Sequence, residues 1–162
     1  MHKAVEQFVG RMGMMLEADG MPRIAGRIFG FLLLNAEAYS LDELARQLRV
    51  SKASVSTNAR LLEQLGIVER LAVPGDRRDY YRMGTDAWER MLRTAQRKWE
   101  VMRQTLREAE ASLPQEMAVG RERLLQAELF HLLLEEESEQ LIVRWRQKTM
   151  GNSTIRADKP AA

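Results

Sequence analysis

The residues best placed to do chemistry lie between Ser51 and Asp79, and their types suit recognition of a polyanion rather than making or breaking bonds. On a helical wheel Val55, Ala59 and Leu62 share one side, while Ala53, Ser56, Thr57, Arg60 and Gln64 share the other. The second side is small and polar near its N-terminal end. Small residues let a helix lie deep in the major groove of DNA, hydroxyls bond to bases or phosphates, and arginine can meet guanine through two hydrogen bonds. Lys52 and Ser54 flank this side and are placed for phosphates. Further on, Pro74-Gly75-Asp76-Arg77-Arg78-Asp79 puts two arginines at a charged tip. Minor grooves attract arginine through their negative potential. Asp76 reads as the ion-pair partner that holds Arg78, leaving Arg77 as the first choice for a minor-groove probe. On sequence alone the two arginine roles are interchangeable.

A polar helix face is often only a solvated surface, so the weight rests on the elements around it. Ser40 and Glu43 form a capping-box pattern that starts a helix lined by Leu41, Leu44, Ala45 and Leu48. Arg49-Val50 turns the chain, Ser51 caps the reader helix, and Gly66 ends it. Ile67 to Val73 reads as a strand, Pro74-Gly75-Asp76 as a turn, and Asp79 to Met83 as the returning strand. Two helices, a tight turn and a ribbon make a winged helix-turn-helix. Upstream, Val5, Phe8, Met12 and Met15 recur at helical spacing over residues 3–18, and Asp19-Gly20 breaks that helix. Pro22 suits the first turn of a second helix with Ile24, Ile28, Phe31, Leu32 and Asn35 on its broad face.

Downstream, Thr85 is placed to cap a fifth helix. Trp88, Leu92, Ala95, Trp99, Met102, Leu106, Ala109 and Leu113 follow at steps of 4, 3, 4, 3, 4, 3, 4, a heptad seam that asks for another helix. Pro114 ends it. A sixth helix, from Gln115 or Arg121 to Met150, is apolar nearly all round from Leu124 to Leu134 and needs cover on several sides. Left in water, these residues would form a large apolar patch, so the chain is expected to pair with a second copy. The expected interface comprises Val5, Phe8, Met12, Trp99, Met102, Leu106, Leu141 and Trp145. A symmetric pair would hold two reader helices about 34 Å apart, one DNA turn.

Charge and composition narrow the classes. The window Arg46–Arg82 holds eight basic and four acidic residues, net +4, while the rest of the chain is net −2. The positive excess thus sits on the expected DNA reader. There is no cysteine, which excludes disulfides and thiolate metal sites and fits a reducing, cytoplasmic compartment. The longest apolar run, Ile28 to Leu34, is too short for a bilayer, and the N-terminus lacks a signal-peptide core, so no membrane partner is expected. Of the two histidines, His2 and His131, neither has a partner at ligand spacing. Glu135, Glu136, Glu137 and Glu139 read as a solvated face. No phosphate loop, nucleophile elbow or zinc-protease motif occurs, so neither an enzyme nor a cofactor is expected. Met12, Met14, Met15, Trp88, Met91 and Trp99 could hold a cationic ligand, but Met and Trp at helical spacing usually just pack.

The pattern Ser51-Lys52 with Ser54-Val55-Ser56, then LGIVER and GDRRD-YY, resembles the MarR-type winged helix-turn-helix regulators. Their wing signature D-x-R is matched by Asp76 and Arg78. Pro22 to Leu34 and the wing are more specifically similar to the GbsR-like subgroup, named for a repressor of glycine betaine synthesis genes. Gly84-Thr85 stands where MarR wings usually close with Leu-Thr, a departure that fits the subgroup better than the parent family. The resemblance covers residues 5 to 110 well and the last helix loosely. It implies a homodimeric transcriptional regulator, a repressor before an activator, that binds double-stranded DNA and responds to a small-molecule effector. The expected organisation is mainly α: one domain over residues 1–150, with the winged part at 20–85, dimerisation helices at 1–19 and 86–150, and a disordered tail at 151–162. The competing reading is a winged-helix protein-interaction module without specific DNA binding, and a third is a non-specific architectural DNA binder.

Overall fold

The computed structural model describes the backbone of residues 2–157 and the side chains of residues 2–149. The order is α1 (Lys3–Ala18), α2 (Arg23–Leu33), β1 (Tyr39–Ser40), α3 (Leu41–Leu48), α4 (Lys52–Gln64), β2 (Val68–Ala72), β3 (Asp79–Met83), α5 (Ala87–Ser112) and α6 (Ala118–Ala157). The architecture is the mainly helical winged fold that the sequence patterns imply. The chain separates into two compact units, residues 1–91 and 92–162.

In the first unit the helix ends obey local chemistry. The His2 ring accepts the Ala4 N–H and caps α1. Ser40 accepts the Glu43 N–H while the Glu43 carboxylate accepts the Ser40 N–H, so the expected capping box starts α3. Ser51 caps α4 through the Ser54 N–H at 3.2 Å. At the other end of α4, Gly66 takes φ 76° and the Gly66 and Ile67 N–H groups return to Glu63 and Leu62, a pattern that satisfies the last carbonyls. Arg49 makes the corresponding turn after α3 without a glycine, at φ 53°.

Several features differ from the sequence reading. The ribbon belongs to a three-stranded antiparallel sheet of order β1-β3-β2, in which Tyr39 pairs with Tyr81 and Ser40 with Tyr80. A strand of two residues carries no alternation that a pattern could reveal. The buried side of α1 is Val9, Gly13 and Leu16, whereas Met15 is 53% exposed. The reason is the glycine: α2 closes on α1 where Gly13 and Gly26 lack side chains, and a Cβ on Gly26 would lie 2.4 Å from the Met12 carbonyl oxygen. Pro22 occupies the N-cap of α2 rather than its first turn, and α5 starts at Ala87, so Thr85 falls in the preceding turn.

The core of this unit joins Val9, Ile28, Phe31, Leu32, Leu44, Leu48, Val55, Leu62 and Tyr81. It therefore runs through α1, α2, both helices of the helix-turn-helix and the middle strand of the wing. Phe29 meets Trp88 edge-to-face at 6.1 Å, which ties the first turn of α5 to α2.

The second unit is an antiparallel pair of long helices joined by polar contacts. Arg93 pairs with Glu139, Arg103 with Glu135 at 3.0 Å, Arg107 with Glu128, and Arg121 with Glu110. Gln96 donates to the buried Ser138 hydroxyl at 2.8 Å. The acidic run is thus only partly the solvated face expected of it: Glu135 and Glu139 turn onto arginines of α5, because the helical repeat puts them on the side facing it. The Arg93 guanidinium holds the Glu139 carboxyl below its ordinary range. His131 is satisfied by the Ala127 carbonyl at 2.8 Å. The assignment of α6 runs past Gly151, where the sequence reading begins its disordered tail, to Ala157, and residues 158–162 lie outside the described part. No helix of the described residues is long and apolar enough to cross a membrane.

Candidate nucleic-acid interface

The helix expected to read DNA is α4, and its two faces are cleanly separated. Val55, Ala59 and Leu62 are fully buried in the core of the first unit. Ala53, Thr57, Arg60 and Gln64 are exposed on the other side, with Ser54 and Ser56 half-buried beside them. The Thr57 hydroxyl donates to the Ala53 carbonyl at 3.2 Å, leaving its oxygen free to accept. Burial on one side holds the helix; exposure on the other presents the Thr57 hydroxyl, the Arg60 guanidinium and the Gln64 amide.

Sequence reasoning missed Asn58. It is buried, and its amide donates to the Ser54 carbonyl at 2.7 Å. The wheel carried the signal, since position 58, three after Val55 and four before Leu62, lies at the edge of the core side. Lys52 is exposed as expected, but its ammonium lies 2.9 Å from Asp42 on α3. This is an exposed pair, of the kind worth little in water and readily exchanged for a phosphate.

The wing is organised around Asp76. Pro74 and Gly75 form a tight turn, closed by the Asp76 N–H on the Val73 carbonyl at 3.0 Å, with Gly75 at φ 82°. The Asp76 carboxylate accepts the Arg78 backbone N–H at 2.9 Å, the Arg78 guanidinium at 2.6–3.0 Å and the Tyr80 hydroxyl at 2.8 Å. The hydrogen bonds from Arg78 hold the Asp76 carboxyl far below the usual carboxylate range, and the bond to Asp76 raises the Tyr80 phenol. Arg78 also sits over the Tyr80 ring, 5.3 Å from its centroid. Tyr80 is a second residue that sequence reasoning did not assign. Arg77, next in the chain, is exposed and makes no ion pair among the described residues.

At the base of the wing the arginines are committed internally. Glu69 on β2 takes Arg82 of β3 at 2.5 Å and Arg90 of α5 at 2.9 Å, and hydrogen bonding by Arg82 lowers the Glu69 carboxyl. Arg70 lies 3.6 Å from Glu63 and 3.5 Å from Asp79. The basic window therefore overstates the free charge. Of its eight cations, Arg46, Arg60 and Arg77 are the exposed ones with no ion pair among the described residues.

A model of the MarR family matches residues 19–79, which span the helix-turn-helix and most of the wing. A solved structure described as a transcriptional regulator is 32% identical, with a TM-score of 0.79, over 89% of this chain and 99% of that one. The chain belongs to the MarR family. This MarR-family chain is also 46% identical over 85 residues to the HTH-type transcriptional regulator MmpR5 of Mycobacterium tuberculosis, 52% of each protein. It is 25% identical over 96 residues to the HTH-type transcriptional repressor OpcR of Bacillus subtilis, 59% of this chain and 52% of that one. The chain thus spans about half the length of the curated relatives it matches.

The residues expected at a dimer interface fall into two groups. Val5 and Met12 pack against the core of the first unit, with Phe8 half-buried on the same helix. In the second unit Trp99 and Leu106 are half-buried, while Met102, Leu141 and Trp145 are exposed. No group of His, Cys, Asp or Glu suited to a metal occurs among the described residues.

Proposed function

We propose that this MarR-family chain is a sequence-specific DNA-binding transcriptional regulator, that it acts as a homodimer on a near-palindromic operator, and that it represses. The observation that carries the reading is the exposed row Ala53, Thr57 and Arg60 on a helix whose opposite side is sunk in the core. The unpaired Arg77 at the wing tip stands with it. In this arrangement Ala53, Ser56, Thr57 and Arg60 read base edges in the major groove, Lys52 and Ser54 meet phosphates, and Arg77 enters the minor groove. Asp76 supports the wing by fixing Arg78.

The dimer takes its support from apolar side chains that one copy leaves exposed on α6, among them Leu129, Phe130, Leu133, Leu141 and Trp145. Repression is supported by the kinship to a protein named as a repressor. Membership of the GbsR-like subgroup rests on Pro22 to Leu34 and the GDRRDYY wing. A small-molecule effector and action in the cytoplasm complete the proposal.

Fluorescence anisotropy against a pool of palindromic duplexes tests it. We expect selection of one sequence class, a steep fall in affinity with salt as counterions are released, and a loss of about tenfold or more on Arg60→Ala from a lost bidentate contact. Absence of binding at low salt sinks the proposal. A stable protein partner combined with no duplex affinity favours the interaction-module reading, which the internally paired arginines at the wing base support.

A further inference from the structure

Arg27 belongs to α2, and nothing in the proposed DNA contact uses it. It is half-buried, and its Nη2 donates to the Leu48 carbonyl at 2.6 Å. Leu48 is the last residue of α3, where carbonyls lack partners within the helix and the dipole favours a cation. The next residue is Arg49, at φ 53° the one non-glycine with positive φ among the described residues. The turn it makes is closed by the Arg49 N–H on Arg46 and the Val50 N–H on Ala45. A left-handed arginine persists only where its surroundings over-determine it. The Arg27 bond to the adjacent carbonyl is such a constraint, and it falls on the turn that aims α4.

The stem of Arg27 is set from the other side. A Cβ on Gly13 of α1 would lie 2.7 Å from the Arg27 Cγ and 3.1 Å from the Arg23 carbonyl oxygen. The glycine therefore leaves a notch through which the arginine passes. No ion pair to Arg27 exists among the described residues, so the Leu48 carbonyl is the anchor of its charge.

We propose that Arg27 is a positioning residue for the reader helix: it fixes the α3–α4 turn and makes the aim of α4 answer to the position of α1. The proposal rests on the DNA-reading function above, and it predicts two separable readouts. In Arg27→Met, which keeps the stem, hydrogen exchange at the Val50 amide should quicken about tenfold or more relative to core amides of α4, as expected for a lost charge-assisted bond. Affinity for the selected duplex should fall by a similar factor. Affinity for a random duplex and its salt slope should hardly change, because phosphate contacts carry them. Arg27→Lys should restore part of both losses. Gly13→Ala should cause the same two losses in the natural background and smaller ones when Arg27 is already alanine.

Unchanged Val50 exchange in Arg27→Met overturns the proposal. So does a parallel loss of selected and random duplex affinity with a lowered melting temperature, the mark of a merely structural residue. If the natural chain binds no duplex, the DNA reading fails, and the hold of Arg27 on the turn stands or falls on Val50 exchange alone.

Discussion

The two units leave opposite things unsatisfied. The first unit buries a continuous apolar core from Val9 to Tyr81 and leaves Arg46, Arg60 and Arg77 exposed, with no ion pair among the described residues. In the described part of residues 92–149, Ile142 is the one buried apolar side chain, while Arg93, Arg103, Arg107 and Arg121 are all paired with glutamates. Ion pairs bridge the helices of the second unit, Leu92, Trp99, Leu106 and Leu132 are half-buried, and other apolar side chains, such as Phe130 at 59%, face outward. What a unit leaves unsatisfied is what it offers to a partner. Free guanidinium groups suit phosphates and base edges; an apolar helix face suits another apolar face. The comparison agrees with the proposal of DNA as partner of the first unit and a second copy as partner of the second.

The largest expected effect is a test of the second half of that comparison. Placing charges in the exposed stripe, as in Leu129→Glu with Phe130→Glu, should raise the dimer dissociation constant by about a hundredfold or more, since each buried apolar side chain contributes roughly 1.5–3 kcal/mol. Sedimentation velocity reads the change. A dimer that survives both substitutions breaks the assignment.

The next tests the self-sufficiency of the first unit. Leu62 is fully buried, so Leu62→Ala should cost about 2–5 kcal/mol in urea unfolding. The same truncation at Leu133, half exposed in one copy at 49%, should cost as much only at concentrations where copies associate.

A smaller effect concerns the free cations. Asp42 holds Lys52 at 2.9 Å in an exposed pair. Asp42→Ala should tighten duplex binding by about two- to tenfold at low salt and steepen the salt dependence by close to one counterion. Titrations across a salt series check both. Unchanged binding would remove Lys52 from the phosphate contacts.

The smallest effect is pH-dependent. Glu69, hydrogen-bonded by Arg82 and Arg90, has its carboxyl lowered in the folded chain. A lowered folded value means that its contribution is complete above the ordinary glutamate range and is lost as pH falls through the depressed value. The stability difference between the natural chain and Glu69→Gln should therefore be constant near neutrality and shrink below about pH 4, the ordinary glutamate range. Urea midpoints measured across that interval follow it, and a difference independent of pH would exclude the ion-paired carboxylate as its source.

Much of the candidate site is legible in the amino-acid sequence. The capping box at Ser40 and Glu43, the cap at Ser51 and the glycine at Gly66 are short-range hydrogen-bonding devices. They mark helix ends from residues within a few positions of one another. The faces of α4 follow from helical periodicity, and the Asp76–Arg78 pair spans two positions of one turn. Other features are not legible. The strand Tyr39–Ser40 exists only because β3 is beside it. The buried side of α1 escapes an apolar pattern because Gly13, which such a pattern does not register, is where α2 approaches.

The order of the helices and of the two wing strands, the caps at Ser40 and Ser51 and the polar row Ala53, Ser56, Thr57 and Arg60 are written in the chain itself, because they depend on near neighbours and on the helical repeat. Which positive charges remain available is settled in three dimensions. Glu69 reaches Arg90 across 21 positions and Asp42 reaches Lys52 across 10. A count of charges cannot distinguish a cation already neutralised by a distant carboxylate from one still facing water. Ion pairing acts over a few ångströms of space, whatever the separation along the chain, and only the folded arrangement brings those partners within range.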